Sequence, residues 1–293
     1  MTRIQGCITA LVTPFRNGAV DEDAYQTLVN RQIEAGVHGV VPVGTTGESA
    51  TLSHAEHKRV IELCVEAAAG RVPVIAGAGS NATAEALELA RFAEEAGADA
   101  LLTVTGYYNK PSQAGLVAHF SALNDATRLP IILYNVPART VANLSVETIA
   151  TLSKLPRIVG VKDATGDLAR VALQRLASGP DFIQISGEDM TAAGFNAMGG
   201  RGVISVAANI APALCAELQN ASLKGDFAAA LALQDKLAPL IDALFRDTNP
   251  GPAKYAMSLL GLMSDELRLP LVAPPEPVRQ KLREALENLG LTG

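Results

Sequence analysis

Short runs of apolar, β-branched residues alternate along the chain with longer stretches in which apolar positions recur at helical spacing. The short runs are Cys7–Thr13, Gly39–Val43, Pro73–Ala76, Ala100–Thr103, Ile131–Tyr134, Ile158–Val161, Phe182–Ser186 and Gly202–Ser205. They are continuous rather than alternating, the pattern of strands covered on both faces. Between them, Asp21–Ala35, Ser53–Ala69 and Thr83–Ala96 have the periodicity of amphipathic helices. Ser53 and Glu56 stand at capping-box spacing, and Gly36, Gly70 and Gly97 fall where those helices should stop. Eight such units, with no low-complexity linker, predict an α/β fold of the (β/α)8 TIM-barrel type. A doubly wound sheet would show the same alternation, but no Gly-x-Gly-x-x-Gly follows the first strand.

The eighth unit should end near Gly225. Residues 226–293 contain no strand-like run and read as helices broken around Asn249-Pro250-Gly251-Pro252 and Pro274-Pro275. The expected organisation is therefore a catalytic barrel over 1–225 followed by a C-terminal helical region over 226–293.

Composition narrows the functional classes. Of 293 residues, 48% are hydrophobic, enough for a large core, and the net charge is −6. With a pI near 5.3 and no basic cluster, the chain is poorly equipped to neutralise nucleic-acid phosphates. Aromatics are only 4%, so base-stacking platforms are scarce as well. Mean hydropathy is +0.21. Even so, the longest uncharged run, Gly202–Ala216, is broken by Pro212 and falls short of the ~20 residues a spanning helix needs. The N-terminal Met1-Thr2-Arg3-Ile4-Gln5-Gly6 has no apolar leader core. Cys7, Cys64 and Cys215 are odd in number and sit among apolar neighbours, as buried reduced thiols do. The expectation is a cytoplasmic protein with neither membrane nor nucleic-acid partners.

Barrel enzymes carry their chemistry where strands end and βα loops begin. Strand two ends in Gly44-Thr45-Thr46-Gly47-Glu48, whose hydroxyls and closely spaced amides suit a small carboxylate or phosphate. Strand four runs into Gly106-Tyr107-Tyr108-Asn109, and strand five into Tyr134-Asn135-Val136-Pro137-Ala138-Arg139. Strand six ends in Val161-Lys162-Asp163. Of eight lysines, seven fall in helix faces or loops, where a solvated charge costs little; Lys162 alone terminates an apolar strand. Desolvation there would disfavour the ammonium, and a neutral amine is the nucleophile that forms Schiff bases with ketones. A structural ion pair or phosphate anchor is the competing reading. Gly77-Ala78-Gly79-Ser80 lacks the following Lys-Ser/Thr of a phosphate loop and reads as a tight turn. His54 and His57 share a helix face without a third ligand, so no metal site is expected.

Taken in order, Gly-Thr-Thr-Gly-Glu, Tyr-Tyr-Asn, Tyr-Asn-Val-Pro-x-Arg-Thr and Val-Lys-x-Ala-Thr-Gly resemble the dihydrodipicolinate synthase family. That family belongs to the pyruvate-dependent class I aldolase and N-acetylneuraminate lyase superfamily. The resemblance runs over essentially the whole chain, through Gly202-Val203-Ile204-Ser205, Asn249-Pro250-Gly251-Pro252 and Leu267-Arg268-Leu269-Pro270. It implies a lyase of lysine and diaminopimelate biosynthesis that condenses pyruvate with L-aspartate-4-semialdehyde through a covalent imine on Lys162. No metal or separate cofactor would be required. By the same resemblance, Tyr134, Thr45 and Tyr108 form a proton relay, with Tyr108 supplied by the adjacent subunit of a dimer of dimers. Thr46 would hold the pyruvate carboxylate, Gly187 and Ile204 would shape that pocket, and Arg139 would bind the semialdehyde carboxylate.

Family members inhibited by L-lysine hold it at the dimer interface. The matching positions here are Ser49, Ala50, His54, His57, Asn81, Glu85 and Tyr107, with Glu85 facing the effector's α-amine and His57 its side-chain ammonium. Two departures from the family pattern are Asp163, where Glu is usual, and Gly106, where Pro is usual. Asp163 should face away from Lys162, whereas Gly106 should loosen the Tyr108 loop. The alternatives are a sugar-acid or N-acetylneuraminate-type pyruvate aldolase, and a barrel that binds a keto acid or lysine without turnover.

Overall fold

A computed structural model describes residues 4–292; the first three residues, part of the N-terminal reading, and Gly293 lie outside it. Eight parallel strands form one sheet: β1 (Gly6–Ala10), β2 (Gly39–Val41), β3 (Ile75–Gly77), β4 (Ala100–Val104), β5 (Ile131–Asn135), β6 (Ile158–Asp163), β7 (Ile183–Ser186) and β8 (Gly202–Ser205). β1 pairs with both β8 and β2, and the bridge Val40–Val74 joins β2 to the approach of β3, closing the barrel.

The strands are shorter at several ends than the apolar runs suggest, for identifiable reasons. β1 stops at Ala10 because the Val12 amide donates to the Asn209 side chain (3.2 Å) rather than to a strand. β2 stops before Pro42, which has no N–H to offer, and Val43 takes a left-handed φ of 48°. A short hairpin, Phe15–Arg16 with Ala19–Val20, was not apparent from the apolar pattern.

The helices follow their caps. α1 (Glu22–Glu34) is capped by Asp21, and α2 (His54–Ala68) by Ser53, whose capping box with Glu56 is complete. α3 (Thr83–Glu95), α4 (Gln113–Ala126), α5 (Val146–Leu152), α6 (Ala169–Ser178), α7 (Ala192–Ala197) and α8 (Pro212–Leu223) complete the ring. Gly36, Gly70, Gly97 and Gly225 all adopt positive φ at the predicted stops.

Strand parity sorts the core into two layers. Ile8, Val41, Ile75, Leu102, Ile132, Tyr134, Ile185 and Ile204 fill the barrel interior. The alternate residues, including Cys7, Val40, Leu101, Leu133 and Val161, face the helices. All three cysteines are buried and unpaired, and burial pushes the Cys64 thiol up to about 12.

Beyond the barrel lie α9 (Phe227–Leu244), α10 (Gly251–Leu259) and α11 (Glu276–Asn288). α9 packs on α8, α7 and α11. Its Leu237, Leu240 and Leu244 enter the barrel's outer core, each such burial stabilising by roughly 1.5–3 kcal/mol. No helix among the described residues is long and apolar enough to cross a membrane.

One lysine departs from the sequence reading. Lys254 is not a solvated helix charge: it is 0% exposed and ion-paired with Glu48. α10 is buried throughout Gly251–Met257, so it has no wet face on which to place the ammonium. Nearby, Arg268 grips Glu56 at 2.5 Å and 2.8 Å, tying the segment before α11 to the start of α2.

This clasp has a pH signature. Chiefly through the Arg268 hydrogen bond, the Glu56 carboxyl is held at about 2, below the ~4.3 of an unfolded glutamate. The stability it contributes is complete above the unfolded value and is lost as pH falls towards 2. Urea midpoints of the native protein and Glu56→Gln should therefore differ above pH ~4.5 and converge near pH 2. Midpoints that stay parallel across this range would contradict the assignment.

Candidate active site

The register of β5 and β6 sets Tyr134 beside Lys162, both with side chains inside the barrel at its C-terminal mouth. Lys162 is 7% exposed, and its Nζ lies 4.2 Å from the Tyr134 ring centroid. Asp163 points the other way, as expected. Its carboxylate accepts from Arg170 Nε (3.0 Å) and Gln174 (2.6 Å) on α6 and from Thr165 (2.6 Å), so no carboxylate from this position competes for the amine.

Gly187, after β7, closes one side of the lysine. A Cβ there would lie 2.5 Å from Ala164 Cβ and 3.2 Å from Lys162 Cε, so only glycine lets this loop approach the amine. Its amide already donates to the Asp163 carbonyl (2.8 Å), which leaves only its carbonyl to face a ligand. Ile204 on β8 belongs to the same interior layer.

The turn after β2 is partly closed on itself. The amides of Gly47, Glu48 and Ser49 do not form an open anion cradle. They donate to the carbonyls of Gly44 and Thr45 and close the turn on itself. These three N–H groups are thus turned to the turn's own carbonyls, while Thr45 and Thr46 carry its hydroxyls. Thr46 accepts from Asn249 Nδ2 at 2.9 Å, which leaves its own hydroxyl proton free for an acceptor. Gly77, read as part of a tight turn, is instead a close-approach residue: its Cβ would sit 2.4 Å from the Val43 carbonyl oxygen.

A cavity of about 320 Å³ opens at this end of the barrel. Its lining includes Thr45, Tyr107, Arg139 and Asn249. Arg139 sits on a one-turn helix, Pro137–Thr140, with its guanidinium exposed to the cavity. Ser49 and Ala50 line the same space, so part of the effector set shares a wall with the substrate set.

Of the other effector positions, His54 and His57 lie on α2, Glu85 lies on α3 and Asn81 just precedes it. Glu85 accepts from Ser80 and pairs with His54 at 2.5 Å; these hydrogen bonds, Ser80 first, hold its carboxyl below the usual range. His57 is buried and donates Nε2–H to the Gly77 carbonyl (2.8 Å), and burial lowers its pKa. Its Nδ1 is then the acceptor of the neutral ring. The Asn81 carbonyl accepts from Asn109, on the loop that carries Tyr107 and Tyr108.

Tyr108 is 93% exposed, with φ +70°, and projects away from its own barrel. Gly106 lies against Pro111, 3.1 Å from where its Cβ would be. Glu188 and Asp189 were not singled out in the sequence, although they follow β7 at the barrel mouth. Burial raises the carboxyl of Glu188, which faces the charges of Lys162 and Arg139. Asp189 accepts from the Val206 and Ala207 amides and fixes the loop after β8. Their position at a strand end was the available signal.

The barrel mouth thus holds a buried amine at the end of strand six, a tyrosine on its neighbour and, nearby, a cavity with an arginine in its lining. The model of the Dihydrodipicolinate synthetase family matches residues 3–289. The chain belongs to that family. A 4-hydroxy-tetrahydrodipicolinate synthase of Methylobacterium radiotolerans is 61% identical over 290 residues, spanning 99% of this chain and 97% of that protein. Among solved structures, a chloride-inhibited dihydrodipicolinate synthase from Acinetobacter baumannii complexed with pyruvate superposes with a TM-score of 0.96. It is 45% identical and covers 99% of this chain and 100% of its own. The enzyme from Cyanidioschyzon merolae with lysine bound gives 0.95 at 39% identity, covering 98% of each chain. These relatives of the family member are synthases, which disfavours both the sugar-acid aldolase and the non-catalytic barrel.

Proposed function

We propose that this member of the dihydrodipicolinate synthetase family is a lyase that condenses pyruvate with L-aspartate-4-semialdehyde on Lys162. The observation that carries the reading is the Lys162 amine, buried in the barrel mouth against the Tyr134 ring. Its Nζ adds to the pyruvate ketone, water leaves, and an imine forms. The iminium then accepts the electrons of the methyl C–H bond as that proton departs, giving an enamine without a metal or separate cofactor. The enamine carbon attacks the aldehyde, and the substrate's own amine displaces Lys162 as the ring closes.

Tyr134, Thr45 and Tyr108 carry protons between the imine and solvent. The outward projection of Tyr108 supports its delivery to a neighbouring subunit's site. The free hydroxyl proton of Thr46 suits the pyruvate carboxylate, with Gly187 and Ile204 shaping the wall. Arg139 matches the semialdehyde carboxylate through the bidentate geometry of guanidinium. A dimer of dimers accommodates both the Tyr108 exchange and a second contact. Leu173 and Leu176, exposed on one face of α6, supply apolar surface for that contact. Three buried, unpaired thiols fit a reducing cytoplasm.

The effector reading assigns L-lysine to Ser49, Ala50, His54, His57, Asn81, Glu85 and Tyr107. It is supported by the wall that Ser49, Ala50 and Tyr107 share with Thr45 and Arg139. A single coupled assay tests substrate and regulation together. Turnover is expected with pyruvate plus aspartate semialdehyde, none with N-acetylneuraminate, and a lower rate at millimolar L-lysine. Turnover of the sugar acid would overturn the substrate assignment, and an unchanged rate with lysine would overturn the effector site.

A further inference from the structure

Thr45 and Thr46 stand on a turn whose amides are bonded mainly to its own carbonyls, so contacts from outside must fix where the turn sits. Glu48 ends it in the left-handed region, φ +53°, and its amide donates to the Thr45 carbonyl at 3.1 Å. The Glu48 carboxylate is buried and ion-paired with Lys254 of α10, distant in sequence. Lys254 Nζ also donates to the Glu266 carbonyl at 2.9 Å and lies 4.0 Å from the Phe15 ring centroid. The Arg268 guanidinium is 4.2 Å from the same ring, and its backbone N–H donates to the second Glu48 oxygen at 3.3 Å. Just before α10, Asn249 donates to Thr46.

We infer that Glu48 and Lys254 are positioning residues of the active site, their buried ion pair clamping the Thr45–Thr46 turn to the C-terminal helices. This rests on the Schiff-base reading above, in which Thr45 and Thr46 meet the substrate and Lys254 does not. Stability alone is a weak reason for such a pair, since replacing both partners by apolar groups of similar volume is often neutral or stabilising. What the charges supply is a single geometry. Among the described residues Glu48 forms its ion pair with Lys254, and Lys254 bonds that carboxylate and the Glu266 carbonyl. Burial lowers the Lys254 ammonium to about 8, with Glu48 opposing that fall most, then Glu266, while Arg268 adds to it. Glu48 is thus the group that chiefly keeps the Lys254 charge against burial.

The test pairs Glu48→Leu/Lys254→Met, which removes both charges, with Lys254→Gln, which keeps a donor towards Glu48. Both are compared with the full-length native enzyme by thermal melting, pyruvate KM and kcat, and borohydride trapping of pyruvate on Lys162. The expected result is a folded double variant that still forms the Lys162 adduct at saturating pyruvate. Its KM for pyruvate should be raised roughly 10–100-fold, the scale of an ~1 Å misplacement. Lys254→Gln should fall between it and the native enzyme. A folded variant with KM and kcat within about twofold of native overturns the inference and reduces the pair to structural glue. If the double variant does not fold, Lys254→Gln decides alone, its rates normalised to trapped adduct. Absence of any Lys162 adduct in the native protein would instead overturn the functional reading itself.

Discussion

Lys162→Ala should lose the trapped pyruvate adduct entirely and lower turnover by roughly 10⁴-fold or more, because no other group can take the nucleophile's place. Folding should survive. The side chain ends at the barrel mouth and makes no ion pair among the described residues: Asp163 is satisfied on the opposite side of the strand by Arg170, Gln174 and Thr165, and of the two carboxyls that feel its charge Glu188 keeps Arg139 and Asp189 keeps the Val206 and Ala207 amides. The measurement is borohydride reduction with pyruvate, followed by mass mapping and steady-state rates. The informative contrary result is an adduct on Lys254, the other buried amine. That lysine is held by Glu48 and the Glu266 carbonyl, so no adduct is expected there.

Gly187→Ala should be nearly as damaging without touching a reactive atom. The new Cβ would lie 2.5 Å from Ala164 Cβ, 3.0 Å from Ala164 Cα and 3.2 Å from Lys162 Cε. Ala164 cannot yield easily, because its amide is bonded to the Asn135 carbonyl at 2.9 Å. The Lys162 stem or the loop after β7 must move instead. An ~1 Å displacement of the amine would cost about 100-fold in kcat/KM. The overpacking itself should destabilise by ~1–3 kcal/mol. Melting and kinetics measured on one preparation separate the two effects, and kcat/KM within about twofold of native would refute the contact's importance.

Both predictions depend on positions that were partly legible in the sequence. Lys162 stood out because a charge ended an apolar strand, and strand parity alone places it opposite Asp163. Gly187 could be named only through the family resemblance, since a lone glycine after a strand does not announce what it abuts. Lys254 was misread for a physical reason. A helix with a lysine on it ordinarily turns that lysine to water, and the burial of α10 on every side comes from α11 and the barrel top. Glu48 was visible as the last letter of a motif, yet its partner lay far along the chain. The same distance hid Asn249, whose bond to Thr46 is what leaves that hydroxyl free to donate.

By itself, the sequence determined the eight strand–helix units, their caps and stops, the two-faced burial of the strands and the lysine that ends the sixth. These are local or periodic properties, written within a few residues of where they act. Only the tertiary structure decided that the amides of Gly47, Glu48 and Ser49 close the turn after β2 and that the helical tail holds that turn through Lys254 and Asn249. It also set Ser49, Ala50 and Tyr107 on the same wall as Thr45 and Arg139. Each of these depends on atoms brought together by chain closure over long separations, and a linear pattern of polar and apolar positions carries no record of that distance.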